Sequence, residues 1–217
     1  MINIAIDGPS SAGKSTIAKR LASKLNYVHL DTGAMYRCCA LECRNKNIDS
    51  DNEKDIKKIM DEIEISFSSD GRVFLNGEDV SDAIRTNEIS MKTSQISSLA
   101  IVREKMVDLQ RKVAANKGYI LDGRDIGTVV LKDAEVKIFM VASVECRAKR
   151  RYKEYLDKNI EADYDEIYHD IEKRDYQDTH REISPLRKAD DAIEVDTSEM
   201  NIEEVVACIE NIIKEKV

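Results

Sequence analysis

Short apolar runs that break off at a polar or glycine-bearing turn alternate along the chain with helical periodicity. Ile2-Asn3-Ile4-Ala5-Ile6 runs into Asp7-Gly8, Tyr27-Val28-His29-Leu30 into Asp31-Thr32-Gly33, and Tyr119-Ile120-Leu121 into Asp122-Gly123. Val136-Lys137-Ile138-Phe139-Met140-Val141 and Ala192-Ile193-Glu194-Val195 complete the set. Runs of this length, rich in Ile and Val and bounded by turn residues, read as buried strands. Between the first two, Ile17, Ala18, Leu21, Ala22 and Leu25 fall on one helical face, and Ile202, Val205, Val206, Ile209, Ile212 and Ile213 repeat that stripe near the C-terminus. Strands alternating with helices predict right-handed β-α-β crossovers and a three-layer α/β fold around a five-stranded parallel sheet.

Two segments depart from this rhythm. Ile65, Phe67, Asp70-Gly71, Val73, Leu75 and Asn76-Gly77 alternate with period two around hairpin-type turns, which predicts a small antiparallel element. It lies in a spacer of more than eighty residues between the second and third core strands. A βα crossover needs far less, so the spacer reads as a functional insert. Further on, Arg147, Lys149, Arg150, Arg151 and Lys153 face only Glu145 within residues 145–153, and residues 154–175 carry nine acidic and three basic side chains. That pattern predicts a highly charged helical pair, closed off by Pro185.

At 217 residues the chain holds one to two domains, on a scale of roughly 150 residues each. Its 34 basic against 42 acidic side chains, net −8, argue against a surface that coats a nucleic acid polymer. An anionic ligand must therefore meet a local basic pocket. No apolar run approaches the ~18 residues of a membrane helix, and the start shows no leader pattern, so a cytoplasmic protein without a membrane partner is expected. The cysteines Cys38, Cys39, Cys43, Cys146 and Cys208 include no C-x-x-C and no histidine at zinc-ligand spacing, and read as reduced core thiols. His29, His169 and His180 are scattered and suggest no catalytic constellation.

Candidate chemistry begins straight after the first strand. Gly8-Pro9-Ser10-Ser11-Ala12-Gly13-Lys14-Ser15, followed by Thr16, matches the phosphate-loop pattern in full and opens onto the Ile17–Leu25 helix. Glycines at 8 and 13 let successive backbone N–H groups turn inward, so loop and helix start together form an anion cradle. Lys14 can reach the β- and γ-phosphates of ATP, and the Ser15 hydroxyl can bind Mg2+. A switch GTPase should add an N-K-x-D base-recognition segment. Asn45-Lys46-Asn47-Ile48 and Asn116-Lys117-Gly118-Tyr119 both lack its Asp.

Arginines supply the other half of the chemistry. Arg37 follows Asp31-Thr32-Gly33-Ala34-Met35-Tyr36, and Arg124 sits in Asp122-Gly123-Arg124-Asp125. Arg147, Arg150 and Arg151 share a helical face, and Arg174 and Arg181 bracket Asp175 and Asp178. Singly, these helix-face arginines read equally well as solvated surface. Jointly, they suit the meeting of two polyanions, whose charges planar guanidinium groups neutralise bidentately.

In order and spacing these segments resemble the bacterial cytidylate kinases, within the nucleoside monophosphate kinases of the P-loop fold. The carriers are Gly8 to Thr16, Leu30 to Arg37, Ile84-Arg85-Thr86, Asp122 to Val130 and Arg174 to Arg181. The resemblance implies one P-loop kinase domain over residues 1–217, with a monophosphate-binding subdomain at about 35–105 and a short helical lid at about 145–162. Arg37, Arg124 and Arg181 would hold the acceptor phosphate, with Asp31, Thr32 and Tyr36 shaping that side. Ser94, Arg103 and Asp125 would read the pyrimidine. A carboxylate suits the cytosine amino group, where uracil presents an acceptor. Arg174 and Asp178 would grip the sugar hydroxyls, Asp122 would support Mg2+ beside Ser15, and Arg147 and Arg151 would join Lys14 and Arg124 in catalysis. Ser11 stands where the family often has glycine, Thr179 where it often has serine, and Ala100-Ile101-Val102 precede Arg103 without the family's frequent proline.

The implied reaction is in-line transfer of the γ-phosphoryl of ATP to CMP or dCMP by a monomer. It requires alignment and charge neutralisation rather than a strong base, and closure of the lid to exclude water. Two rivals stand beside it: a P-loop kinase for UMP, AMP or a coenzyme precursor, and a regulatory module that binds ATP without transferring phosphate.

Overall fold

The computed structural model describes residues 1–68 and 71–216. The chain forms two compact units, residues 1–30 with 114–217 and residues 31–113.

The larger unit starts with β1 (Ile4–Asp7), α1 (Lys14–Leu25) and β2 (Val28–Asp31), whose last residue, Asp31, begins the smaller. The smaller continues through α2 (Thr32–Asn45), α3 (Glu53–Glu62), β3 (Ile65–Phe67), β4 (Val73–Leu75), β5 (Glu78–Asp79), a 3-10 turn (Ala83–Arg85), α4 (Asn87–Ile96) and α5 (Ala100–Ala114). The chain then returns through β6 (Tyr119–Gly123), a turn of π-helix (Ile126–Val130), β7 (Val136–Val141), α6 (Val144–Asp157), α7 (Tyr164–His180), β8 (Ile193–Asp196) and α8 (Ile202–Lys216).

All five predicted core strands join one sheet, in the order β2-β6-β1-β7-β8. Around β1 the pairing is parallel on both sides, Asp7 lying level with Gly123 of β6 and Phe139 of β7. The central strand is buried from end to end, which is why it reads as an unbroken apolar run. The stripes of α1 and α8 merge with it into one core of Ile6, Leu21, Ile138, Val206 and Ile209. Full burial of each such side chain is worth about 1.5–3 kcal/mol. The charged helical pair is α6 and α7, which enclose a small satellite of Ala148, Ile167 and Ile171 flanked by tyrosines.

In the smaller unit β3, β4 and β5 form the antiparallel element. Its Asn76-Gly77 turn takes positive φ at both residues (50° and 86°), the twist a two-residue hairpin demands. The Asp70 half of the other predicted turn lies outside the described residues. Helix α2 is buried over most of its length, and α3 and α4 pack against it.

Candidate active site

In the larger unit the site grows from the end of β1. At Gly8, φ is +150° and a Cβ would lie 2.1 Å from the Met140 carbonyl oxygen, so only glycine fits. Ser11 takes the left-handed conformation at φ 59°, which accounts for the glycine common there. Gly13, at φ 92°, opens α1 with no side-chain cap, whereas α2, α3, α4, α6 and α7 are each capped by Asp, Asn, Thr or Ser. The capping residue thus offers the first N–H groups of α1 no side-chain acceptor, as suits an anion cradle.

Lys14 is only 6% exposed, and its Nζ donates to the Pro9 carbonyl at 2.6 Å. Burial first, then the Arg124 charge, lowers its pKa to about 7 against the pull of Asp122, Asp7 and Asp178. Ser15 Oγ donates to Asp122 Oδ2 at 2.7 Å, and His29 Nε2 lies 2.6 Å from Asp122 Oδ1. Burial works to raise the Asp122 pKa, but His29, then Lys14 and Ser15, outweigh it and hold the carboxyl below its ordinary value. A serine hydroxyl beside an ionised carboxylate is the hard-oxygen pair that suits Mg2+, which keeps most of its shell as water and phosphate. No group of three or more His, Cys, Asp or Glu able to hold a metal occurs among the described residues.

The expected arginines fall into two networks here. Arg124 Nε donates to Asp178 Oδ2 at 2.8 Å, with Arg181 4.0 Å from the same carboxylate. Burial alone would raise the Asp178 pKa, yet Arg124, Arg174 and Arg181 together lower it. Burial and the Arg124 charge bring Arg174 down to about 10. In the second network Arg147 makes a two-pronged pair with Asp175 at 2.9 and 2.5 Å, and also donates to the Ala142 and Ser10 carbonyls. Arg150 donates to the Ala12 carbonyl and to Thr197. Arg151 instead lies over the Tyr155 ring and donates to its hydroxyl at 2.7 Å. The Arg147-Arg150-Arg151 face is therefore no solvated surface: two of the three hold the phosphate loop from outside.

Asp7 was given no role by the sequence, yet it is 4% exposed and accepts the N–H groups of Ile126 (2.8 Å) and Gly127 (2.7 Å). Burial raises its pKa to about 6, opposed by those two hydrogen bonds, so it remains ionised at neutral pH.

In the smaller unit Asp31 caps α2 through Ala34 N (2.9 Å) and pairs with Arg85 (3.0 Å). Arg37 donates to the Ile84 carbonyl and to Ser90 Oγ at 2.9 and 2.7 Å. Arg103, 3% exposed, donates to the Ser97 carbonyl and lies over the Tyr36 ring. Thr32 is buried, and Ser94 lies half-buried on α4.

Sequence reading assigned no task to His29, Asp7, Arg85 or Arg150. The signal for Asp7 was its position at the end of β1 and for His29 its place within β2, but strand neighbours were needed to use it: His29 meets Asp122 because β2 lies beside β6. Arg85 carried the resemblance without a role, and Arg150 lay on the recognised helix face.

A parallel sheet whose first strand feeds a glycine-bearing loop, a buried lysine and an uncapped helix, with a serine–carboxylate pair at that edge, defines a P-loop nucleotide-binding protein. Likeness to solved structures agrees at the level of fold: shikimate kinase from Bacteroides thetaiotaomicron superimposes with a TM-score of 0.53 over 98% of both chains at 13% identity. The cytidylate kinase family model matches residues 4–215, and the chain belongs to that family. It is 55% identical to cytidylate kinase of Lactobacillus johnsonii, over 100% of this chain and 95% of that one. To cytidylate kinase of Leuconostoc mesenteroides it is 51% identical, over 99% and 97%.

Proposed function

We propose that this chain transfers the γ-phosphoryl group of ATP to CMP or dCMP, giving ADP and CDP or dCDP. The observation that carries the reading is the phosphate loop Gly8–Ser15 in its strand–loop–helix setting, within a chain of the cytidylate kinase family.

An oxygen of the acceptor phosphate attacks the γ-phosphorus as the bond to the β-phosphate oxygen breaks, and ADP leaves. The transition state is loose, so the protein aligns the two phosphates and offsets their charge. Lys14 and backbone N–H groups of the Gly8–Thr16 loop other than Pro9, which has none, take the donor phosphates. Binding an anion favours the charged ammonium that burial disfavours, so Lys14 takes up a proton as the nucleotide arrives. Ser15 and Asp122 would hold Mg2+, whose chemistry is to neutralise charge on the β- and γ-oxygens. Arg37, Arg124 and Arg181 take the acceptor phosphate, with Asp31, Thr32 and Tyr36 shaping its surroundings. Arg174 and Asp178 take the sugar, and Ser94, Arg103 and Asp125 the base. Of the lid pair, Arg151 is assigned the transition-state charge. Arg147 is committed to Asp175 and the Ser10 carbonyl, and acts as a brace for the loop. The lid corresponds to α6 and the turn after it, and the monophosphate-binding subdomain lies within residues 31–113.

We further propose a cytoplasmic monomer. Among the described residues no helix is long and apolar enough to cross a membrane, and all five cysteines are free, as a reducing compartment allows. An ADP-release assay over CMP, dCMP, UMP and AMP tests the reaction. Both cytosine nucleotides should be turned over with kcat/KM at least about tenfold above UMP, since one well-made base contact is worth about 1–3 kcal/mol. Preference for UMP or AMP, or ATP binding without transfer to any of the four, would overturn it.

A further inference from the structure

Three carbonyls of the phosphate loop are held by cations: Pro9 by Lys14 at 2.6 Å, Ser10 by Arg147 at 3.2 Å and Ala12 by Arg150 at 3.3 Å. In a planar trans peptide the carbonyl and the following N–H point opposite ways. A donor from α6 on the Ser10 and Ala12 carbonyls therefore turns the Ser11 and Gly13 N–H groups away from that helix. Both peptides need holding. Ser11 is left-handed at φ 59°, which a residue with a Cβ adopts at a cost, and Gly13, at φ 92°, can leave its conformation as readily as it enters.

Arg150 is anchored to the central sheet. Its Nη2 donates to the Thr197 carbonyl at 2.6 Å and its Nη1 to Thr197 Oγ1 at 3.2 Å. Thr197 is buried, and its own N–H and hydroxyl both donate to the Val141 carbonyl, at 2.8 and 3.2 Å. Val141 and Asp196, level with one another, end β7 and β8. The Ala12 carbonyl is thereby tied through Arg150 to the ends of two core strands, whereas Arg151 lies against Tyr155 of its own helix.

We infer that Arg150 is a positioning residue for the donor nucleotide: it links the ends of β7 and β8 to the Ala12 carbonyl and so keeps the Gly13 N–H aimed into the phosphate cradle. It acts through the loop rather than on the nucleotide. This role rests on the donor-phosphate reading of Gly8–Thr16 proposed above, and not on which acceptor is used. A lysine at position 150 keeps the charge but loses the planar fork that spans Ala12 and Thr197.

Calorimetric titration of wild type, Arg150→Lys and Arg150→Ala with ATP and, separately, with CMP tests it, together with the Gly13 amide resonance of isotope-labelled protein with and without ATP. In wild type, ATP should bind and move the Gly13 amide proton downfield, as a hydrogen bond to phosphate does. Both variants should bind ATP about tenfold or more weakly, the worth of one hydrogen bond to a charged group, keep their CMP affinity within about twofold, and lose most of the Gly13 shift. Unchanged ATP affinity in either variant, or equal losses toward ATP and CMP, would overturn the role. So would a Gly13 shift that survives while ATP affinity falls, because Arg150 would then be meeting the nucleotide itself. If Arg150→Ala does not fold, Arg150→Lys decides by the same readings. Joint loss of ATP affinity and of the Gly13 shift supports the role even if no acceptor is phosphorylated, whereas wild type that binds no ATP overturns the donor reading and the role together.

Discussion

Two arginines of each unit are held in contrasting ways. In the larger, Arg124 leans on Asp178 and Arg147 on Asp175, so both guanidinium groups are paired with carboxylates. In the smaller, Arg37 is held by a carbonyl and a hydroxyl, and Arg103 by a carbonyl and the face of Tyr36, among other contacts. Carboxylate pairing makes a dense cationic cluster tolerable in the absence of ligand, at the cost of an exchange when phosphate arrives. Neutral acceptors orient a guanidinium through bonds that involve no carboxylate to displace. The contrast is local to these four residues, since in the larger unit Arg150 and Arg151 rest on neutral acceptors and in the smaller Arg85 pairs with Asp31.

The sharpest break of that comparison is at Lys14. Lys14→Ala should reduce turnover by about a thousandfold or more, since removing a single preorganised donor to a transition-state anion already costs 10²–10³. Thermal unfolding of the ligand-free protein should be unharmed, because a buried ammonium held down to about 7 is removed with its desolvation cost. Arg37→Ala should act more mildly and mainly through KM for CMP. Turnover near normal in Lys14→Ala would remove the ground for calling the larger unit the donor-binding half.

Below that in size come core truncations, one per unit. Leu21 of α1 and Met106 of α5 are both fully buried. Leu21→Ala and Met106→Ala should each cost about 2–5 kcal/mol in urea unfolding, with hydrogen-exchange protection falling most in the unit that carries the change. A loss under about 1 kcal/mol at either site would mean that the stripe read as core there is not what holds that unit together.

What the sequence disclosed follows the distance over which each feature is encoded. The phosphate loop was legible because Gly8, Gly13, Lys14 and Ser15 lie within eight positions and their chemistry depends on local backbone geometry. The strand set was legible because β1 and β7 are buried and read as apolar runs. The Asn76-Gly77 turn declared itself by residue type alone. Contacts that join distant parts stayed hidden. His29 next to Asp122 requires β2 to lie beside β6, and Asp7 beneath Ile126 requires β1 to lie next to β6. Helical spacing put Arg147, Arg150 and Arg151 on one face, but could not tell that the face meets Ser10 and Ala12 rather than water. The five cysteines were read uniformly as core thiols. That holds for Cys38, Cys39 and Cys43, whereas Cys146 and Cys208 are half-exposed on α6 and α8, where the amphipathic pattern places them at the flank.

That division of cysteines gives the finest probe of the two units. Cys38, Cys39 and Cys43 all lie on α2 in the smaller unit, and Cys146 and Cys208 in the larger. Burial first, and then the Asp31 charge, pushes the Cys38 thiol up to about 12, and burial raises Cys39 and Cys43 as well. Only the thiolate reacts, so at pH 8 a thiol at 12 presents roughly a thousandth of the reactive form of one at the ordinary 9. A maleimide reagent at pH 8 should therefore modify Cys146 and Cys208 first, leaving the α2 thiols to react only as fast as the smaller unit opens. Adding CMP should slow that residual phase if residues 31–113 carry acceptor contacts, because a ligand bound only to the closed form reduces the open population. Equal labelling of all five cysteines would contradict the burial of α2. A slow phase sensitive to ATP but not to CMP would reverse which unit is read as serving the acceptor.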